Sequence, residues 1–353
     1  MKKNRMLQLA FVLVLAVAVM AACSSGEAPA PSDNTGEGGS AAPAPGGEQG
    51  GEAGAAIEPV TLSAVTAWPE NEINSKGLFI FAEKVKELSN GAITIEYKGG
   101  PEVIPSFDQG EAVRNGVVDM AYLATSYYAK AMPEASVFLY SPLSWEEMRT
   151  GGALDALNEI QHEKMNSHIV VGGPGTGYFF YSTVPLKSID DFKGKRIRGS
   201  GTYVPFIKAL GAEPVNMPAG EIFEALEKGV IDGYGYPIGV TDIGLEEVTK
   251  YKIGPEYYYS NRVGIINADK WNGFSQEVKD ILNEAAKYTE SQVPSADEQK
   301  AAEENEKLTA AGVEYIEVAE GEEFIQLALD AGWEDFKKQA GENGAKLEEL
   351  FRK

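Results

Sequence analysis

The segment Asp190-Asp191-Phe192-Lys193-Gly194-Lys195-Arg196-Ile197-Arg198-Gly199-Ser200-Gly201 holds the side chain best suited to grip a ligand. Lys195 to Arg198 reads as a strand, and Gly199-Ser200-Gly201 lets the chain turn into a helix at about Thr202. Arg198 then stands at a strand end facing a helix start. Its rigid fork of donors suits a carboxylate, and the helix start adds a field that favours an anion. By pattern alone, an arginine in so acidic a chain is more often a surface ion pair. The chemistry of catalysis is missing. No Gly-x-Ser-x-Gly elbow, phosphate-binding loop or His-Glu-x-x-His motif occurs. The single cysteine, Cys23, excludes an intrachain disulfide and a cysteine metal cluster, and His162 and His168 are too few for a histidine-rich one. Asp119 and Asp232 invite comparison with a glycosidase carboxylate pair. Both follow a helix-terminating glycine, so one turn or cap role explains the two together. No catalytic residue, metal or cofactor is expected.

These residues need a scaffold to place them. The chain has 353 residues with 31 Lys+Arg against 53 Asp+Glu, a net charge of -22. That length suits two domains, and that charge excludes the basic footprint of a nucleic-acid binder. Val60 to Val65 reads as a strand, Leu78, Phe81, Ala82, Val85 and Leu88 fall at helical spacing, and Asn90-Gly91 stops the helix. Ile93, Ile95 and Tyr97 alternate as the next strand. This rhythm predicts α/β layers with largely parallel strands. Glu111-Ala112-Val113-Arg114-Asn115-Gly116-Val117-Val118-Asp119 is echoed by Glu224-Ala225-Leu226-Glu227-Lys228-Gly229-Val230-Ile231-Asp232. Each copy reads as a helix end, a glycine, then a strand opened by two β-branched residues and Asp. The spacing suits two similar lobes rather than a solenoid.

The echoed strands lead into aromatic stretches, Tyr122 to Tyr128 and Tyr234 to Pro237. Ligands of open α/β sheets bind beyond the carboxyl ends of strands, so a cleft between two lobes is the expected site. Tyr178, Tyr236 and Trp68 are candidates for its walls, with Thr125 and Tyr128 beside them. Tyr122, Tyr127 and Tyr128 serve equally well as core. Toward the C-terminus, Val278, Ile281, Leu282 and Ala285 form a helical stripe that Val293-Pro294 is expected to interrupt, and Ser295 to Lys307 reads as a solvated acidic face. Phe324, Leu327, Leu329, Trp333, Leu347 and Leu350 suggest closing helices.

The N-terminus carries an address. Lys2, Lys3 and Arg5 precede an apolar run, Leu7 to Met20, too short for a comfortable membrane span. Met20-Ala21-Ala22-Cys23 follows, and small residues before a lone cysteine resemble a bacterial lipobox, whose cysteine is lipidated and becomes the mature N-terminus. Residues 1–22 are thus the expected signal peptide. Residues 23–57, rich in Gly, Ala, Pro and Glu, form the lipidated cysteine with a linker too apolar-poor to fold.

Three further words carry a family resemblance: Asp191 to Arg198, Ala209-Leu210-Gly211-Ala212-Glu213-Pro214-Val215, and Glu221 to Gly233. Together with Phe81-Ala82-Glu83-Lys84-Val85 and Gly116-Val117-Val118-Asp119, they resemble the DctP-type substrate-binding proteins of tripartite ATP-independent periplasmic (TRAP) transporters, over residues 58 to 340. The resemblance implies a two-lobed, periplasmic-binding-protein-like α/β fold with an inter-lobe ligand cleft and C-terminal helices. Lobe I would span 58–182 and lobe II 183–266, with 267–353 returning to lobe I. It implies an extracytoplasmic, lipid-anchored protein that is not an enzyme, takes up a small organic acid and delivers it to TRAP membrane subunits. In such proteins the arginine matching Arg198 forms the salt bridge to the ligand carboxylate. Tyr178 and Tyr236 stand where sialic-acid binders have Arg and Asn, and Gly235 where oxo-acid binders have a metal-binding carboxylate. A binding protein of an ATP-driven importer, a ligand sensor and, further off, a surface-anchored hydrolase are the rival readings. Replacing the anchor cysteine, Cys23→Ala, is expected to release the protein from membranes or leave an uncleaved precursor in fractionation and lipid labelling. A variant still processed and lipid-labelled contradicts the anchor.

Overall fold

The computed structural model describes residues 57–352; the expected leader, Cys23 and the linker up to residue 56 lie outside them. Strand β1 (Val60–Thr66), helix α1 (Lys76–Leu88), β2 (Ile93–Gly99), α2 (Gln109–Arg114) and β3 (Met120–Leu123) open the fold. They are followed by α3 (Trp145–Thr150), α4 (Ala153–Met165) and the long β4 (Ser167–Ser182). Next come β5 (Arg196–Gly199), α5 (Val204–Ala209), β6 (Glu213–Asn216), α6 (Ile222–Glu227) and β7 (Gly233–Tyr236). The chain ends with β8 (Tyr251–Asn267), α7 (Ala268–Gly273), α8 (Gln276–Ala310), β9 (Glu314–Glu317), α9 (Gly321–Ala340) and α10 (Glu342–Phe351). Among the described residues no helix is long and apolar enough to cross a membrane.

The sequence echo is structural. In lobe I, β1 pairs in parallel with both β2 and β3. In lobe II, β5 pairs in parallel with both β6 and β7. The two aspartates hold these triplets in the same way. Asp119 accepts the backbone N–H of Ser63 in β1 at 2.9 Å, and Asp232 accepts that of Arg196 in β5 at 2.8 Å. Burial alone would raise the pKa of Asp119, but the Ser63 bonds and Lys270 bring it below the ordinary value. The Arg196 guanidinium does the same for Asp232. Both are structural anchors that stay ionised. One expectation fails: the strands begin after the aspartates, and Val117 and Val230 are 70% and 48% exposed. The N–H of Val117 bonds back to Ala112 and that of Val230 to Ala225, so each residue closes the turn that ends a helix instead of opening a strand.

The lobes are joined by β4 and β8, antiparallel from Ser167 opposite Asn267 to Ser182 opposite Tyr251. Strand β3 adds to the end of β8 at Met120 opposite Ile266, and β7 to the end of β4 at Ser182 opposite Gly233. Both strands run through the whole ladder, whose register slips at several points, among them between Pro174 and Tyr178. Space is tight there. A Cβ on Gly175 would collide with the Ser260 hydroxyl. The C-terminal elements also divide: β9 pairs with the lobe II half of β8, and Phe324 of α9 packs on Phe206 at 4.9 Å. Phe351 of α10 meets Phe138 in lobe I at 5.7 Å.

Helix α8 runs unbroken through Pro294, against the expected interruption. Its buried positions continue past the proline, from Val278, Leu282, Ala285 and Thr289 to Val293, Asp297, Glu304 and Leu308, so tertiary packing outweighs the lost backbone bond. The acidic stretch is not a wholly solvated face either. Asp297 and Glu304 are buried, and with Glu290 they recur at seven-residue spacing along one side. Glu290 grips Arg149 and the N–H of Gly172, Asp297 grips Arg262 in β8, and Glu304 accepts from the N–H groups of Gly239 and Thr241. Removing the Arg262 counter-ion by Asp297→Ala is expected to cost about 3–5 kcal/mol, because a buried charge is left uncompensated. Urea denaturation measures it, and a loss below 1 kcal/mol, the size of an exposed ion pair, contradicts it.

Candidate functional site

The carboxyl ends of β1, β3, β5 and β7 converge on one cavity, with Trp68, Ala124, Ser200 and Pro237 on its wall. The space left between the walls is small, about 20 Å³. Both long strands contribute as well, Tyr178 from β4 and Arg262 from β8. Most of these residues are buried, so the cavity is closed off from solvent.

Arg198 is the penultimate residue of β5 and is 1% exposed. Its Nε donates to the Met217 carbonyl at 3.0 Å, and its Nη1 to the Gly235 carbonyl at 3.1 Å and the Tyr203 hydroxyl at 3.2 Å. None of these bonds uses Nη2. The contrast with the other arginines is sharp. Arg114, Arg149, Arg196, Arg262 and Arg352 each contact a carboxylate. Among the described residues Arg198 alone does not, so the surface ion pair that pattern favoured is not what the fold builds. Arg262 also lines the cavity, but Asp297 neutralises it and the Gly173 and Pro174 carbonyls take its other donors. The cavity thus offers one uncompensated positive charge.

Tyr178, Tyr236 and Trp68 lie on the wall with Arg198. Trp68 packs on Tyr127 at 5.9 Å and Tyr178 on Tyr203 at 5.1 Å. Burial raises the pKa of the Tyr178 and Tyr236 hydroxyls well above the ordinary value, so both remain protonated donors. The hydroxyl of Tyr236 is committed to Glu72 at 2.6 Å, and its ring stands 6.0 Å from the Arg198 guanidinium carbon. Thr125 and Tyr128 are not on the wall. Thr125 is buried behind it, donating its hydroxyl to Asn261 at 2.9 Å, and Asn261 is the residue that reaches the cavity. Tyr128 sits in the lobe I core, its hydroxyl 3.5 Å from Gln161. Sequence reasoning missed Glu72, Asn74, Asn261 and Arg262. No motif marks them, and only the exit of β1 toward Trp68 hinted that the next residues enter the cleft.

At Gly235 the structure adds a reason to the missing carboxylate. A Cβ there would stand 2.5 Å from the Tyr257 hydroxyl and 3.2 Å from the Tyr203 ring. Tyrosines fill the volume a side chain would need. Among the described residues no group of three or more His, Cys, Asp or Glu could hold a metal ion.

Comparison with known proteins bears on this arrangement. The family model for bacterial extracellular solute-binding protein, family 7 (DctP), matches residues 64–339. A monocarboxylate 2-oxoacid-binding periplasmic protein of Nostoc is 22% identical over 301 residues, covering 82% of each chain. The C4-dicarboxylate-binding periplasmic protein DctP of Rhodobacter capsulatus is 24% identical over 311 residues, covering 84% of this chain and 86% of its own. The crystal structure of a TRAP periplasmic solute binding protein from Desulfovibrio salexigens, with bound orotic acid, superposes with a TM-score of 0.76. It is 21% identical and covers 82% of this chain and 97% of its own.

The crowding at position 235 is testable. Gly235→Ala is expected to cost about 1–3 kcal/mol of stability through overpacking. Unchanged urea denaturation would mean that Tyr203 and Tyr257 move aside freely.

Proposed function

The chain belongs to bacterial extracellular solute-binding protein family 7, the DctP type, and on that premise we propose that its cleft binds a monocarboxylate with an apolar or aromatic body, without a metal. The protein binds and hands on its solute without transforming it. The receiver is the membrane part of a TRAP transporter, reached from a tether lipidated at Cys23. The carrying observation is the lone uncompensated guanidinium of Arg198. A buried charge is costly unless paired, so the site is built to receive one carboxylate. A second carboxylate would have to take Arg262 from Asp297 or stay unpaired, and either costs several kcal/mol. Tyr178, Tyr236 and Trp68 meet the rest of the solute with rings. Orotic acid, held by the Desulfovibrio neighbour, has this character, a flat ring with one carboxyl group. The dicarboxylate binder of Rhodobacter shows that the family also serves the other class, which makes the charge count the deciding feature.

A thermal-shift screen of organic acids identifies the solute, since a ligand at 100 times its dissociation constant stabilises by about 2.7 kcal/mol. Calorimetry with matched mono- and dicarboxylates, with and without chelator, then tests the class. Monocarboxylates should bind more tightly and chelation should change nothing. Arg198→Ala is expected to weaken binding by about 2–5 kcal/mol, or tens to thousands of fold. Arg198→Lys should also bind poorly, because a point charge cannot replace the fork. Tighter dicarboxylate binding, or wild-type affinity in either variant, contradicts the proposal.

A further inference from the structure

Hydrogen bonds cross between the lobes around the cavity. Ser200 of lobe II donates to the Ser126 hydroxyl of lobe I at 2.9 Å, Asn74 reaches the Ile238 carbonyl at 3.0 Å, and the N–H of Ile73 reaches Asp242 at 3.0 Å. The shortest of this group joins Tyr236 at the end of β7 to Glu72, which precedes α1, at 2.6 Å. Glu72 is 2% exposed. Its Oε1 accepts from Tyr236 and, at 2.8 Å, from Asn74 Nδ2, while Oε2 has no partner. Among the described residues no cation compensates it. Lys300 is bound to Asp242, and Arg262 to Asp297 and to the far side of Asn74. The acids that act on Glu72, Asp242 from the loop after β7 and Glu304 from α8, are of like charge. Tyr236 lines the cavity, its ring 6.0 Å from the Arg198 guanidinium carbon, while its hydroxyl points to Glu72.

We infer that Glu72 is a positioning residue of the cleft: it draws the Tyr236 hydroxyl across the lobe gap, so that closure presents the Tyr236 ring to the solute and takes up a proton at Glu72. Burial, with Asp242 and Glu304, raises the Glu72 carboxyl from 4.5 to about 7, although Tyr236 and Asn74 pull it down. When the lobes part, Tyr236 and the residues after it leave and water returns, so the ordinary value is restored. The sign follows from linkage. A carboxyl with a raised pKa in the closed state favours closure fully below about 4.5, and loses that preference as pH rises through about 7. Glu304 is the other buried carboxyl with a raised pKa, but it accepts two backbone N–H groups and lies near Lys252 and Lys300.

The inference rests on reading the cavity as the solute site, and its test uses no solute. Ser126→Cys with Ser200→Cys, in the full chain carrying Cys23→Ser, places a thiol on each lobe where the two hydroxyls lie 2.9 Å apart. Oxidation locks the lobes shut and reduction frees them. Carboxyl carbon NMR follows Glu72, assigned by its loss in Glu72→Gln. The expected midpoint is about 7 in the locked form, falling toward 4.5 on reduction. Tyr236→Phe in the locked form removes the donor and should drive the midpoint higher still. Equal midpoints in the two redox forms, or a locked midpoint unmoved by Tyr236→Phe, overturn the inference. A cysteine pair that never oxidises contradicts the closed arrangement itself. If the titration shifts and no monocarboxylate binds, the latch stands and the solute assignment falls; the reverse result removes only the latch.

Discussion

A guanidinium buried without a carboxylate is the constraint around which this molecule is arranged. Desolvating Arg198 costs several kcal/mol, and two carbonyls and a hydroxyl return only part of it. The backbone must therefore be held where its carbonyls face inward. That fixes the end of β7 at Gly235 and the turn before α6 at Met217, and packs tyrosines where a side chain at 235 would stand. The remaining deficit is what the proposed solute carboxylate would fill.

The long helix α8 supplies the complementary rigidity. Glu290, Asp297 and Glu304 lie roughly two turns apart, so they share a face. Each ends on a different part of the fold: the Arg149 side of lobe I, the inter-lobe strand β8, and the loop after β7. In the glycine-rich stretch of β4 the ladder to β8 slips in register. Asp297 has a second effect. It neutralises Arg262 on the cavity wall, so under the proposed function that second cation would not be free to act as a second anchor.

Much of this could be read from the chain, and the exceptions have physical causes. The β–α–β rhythm, the echoed segments and Arg198 with its glycine turn are local patterns, and local patterns survive into the fold. Trp68 and Tyr236 could be named because they sit at strand ends, and Tyr178 because of its place in the family resemblance. Thr125 and Tyr128 belong to a run in which a short turn, not strand alternation, decides which residues face inward. Asp297 and Glu304 were hidden by composition: in a run of solvated acids, only their spacing from Glu290 sets them apart. Pro294 misled because a proline's cost is local, whereas the burial stripe it interrupts is long. Glu72, Asn74 and Arg262 carry no motif. Their meaning comes from partners more than thirty residues away, and only the folded chain brings those together.

The central claim is that one carboxylate completes the charge of Arg198 while Arg262 remains with Asp297. A crystal structure of the protein with the tightest-binding acid from the screen tests it most directly. The account predicts a carboxylate on the Arg198 fork, including Nη2, with rings against the solute body and the Arg262–Asp297 pair intact. A solute carboxylate seated on Arg262 with Asp297 displaced, or a solute bound with no anion at Arg198, would contradict it.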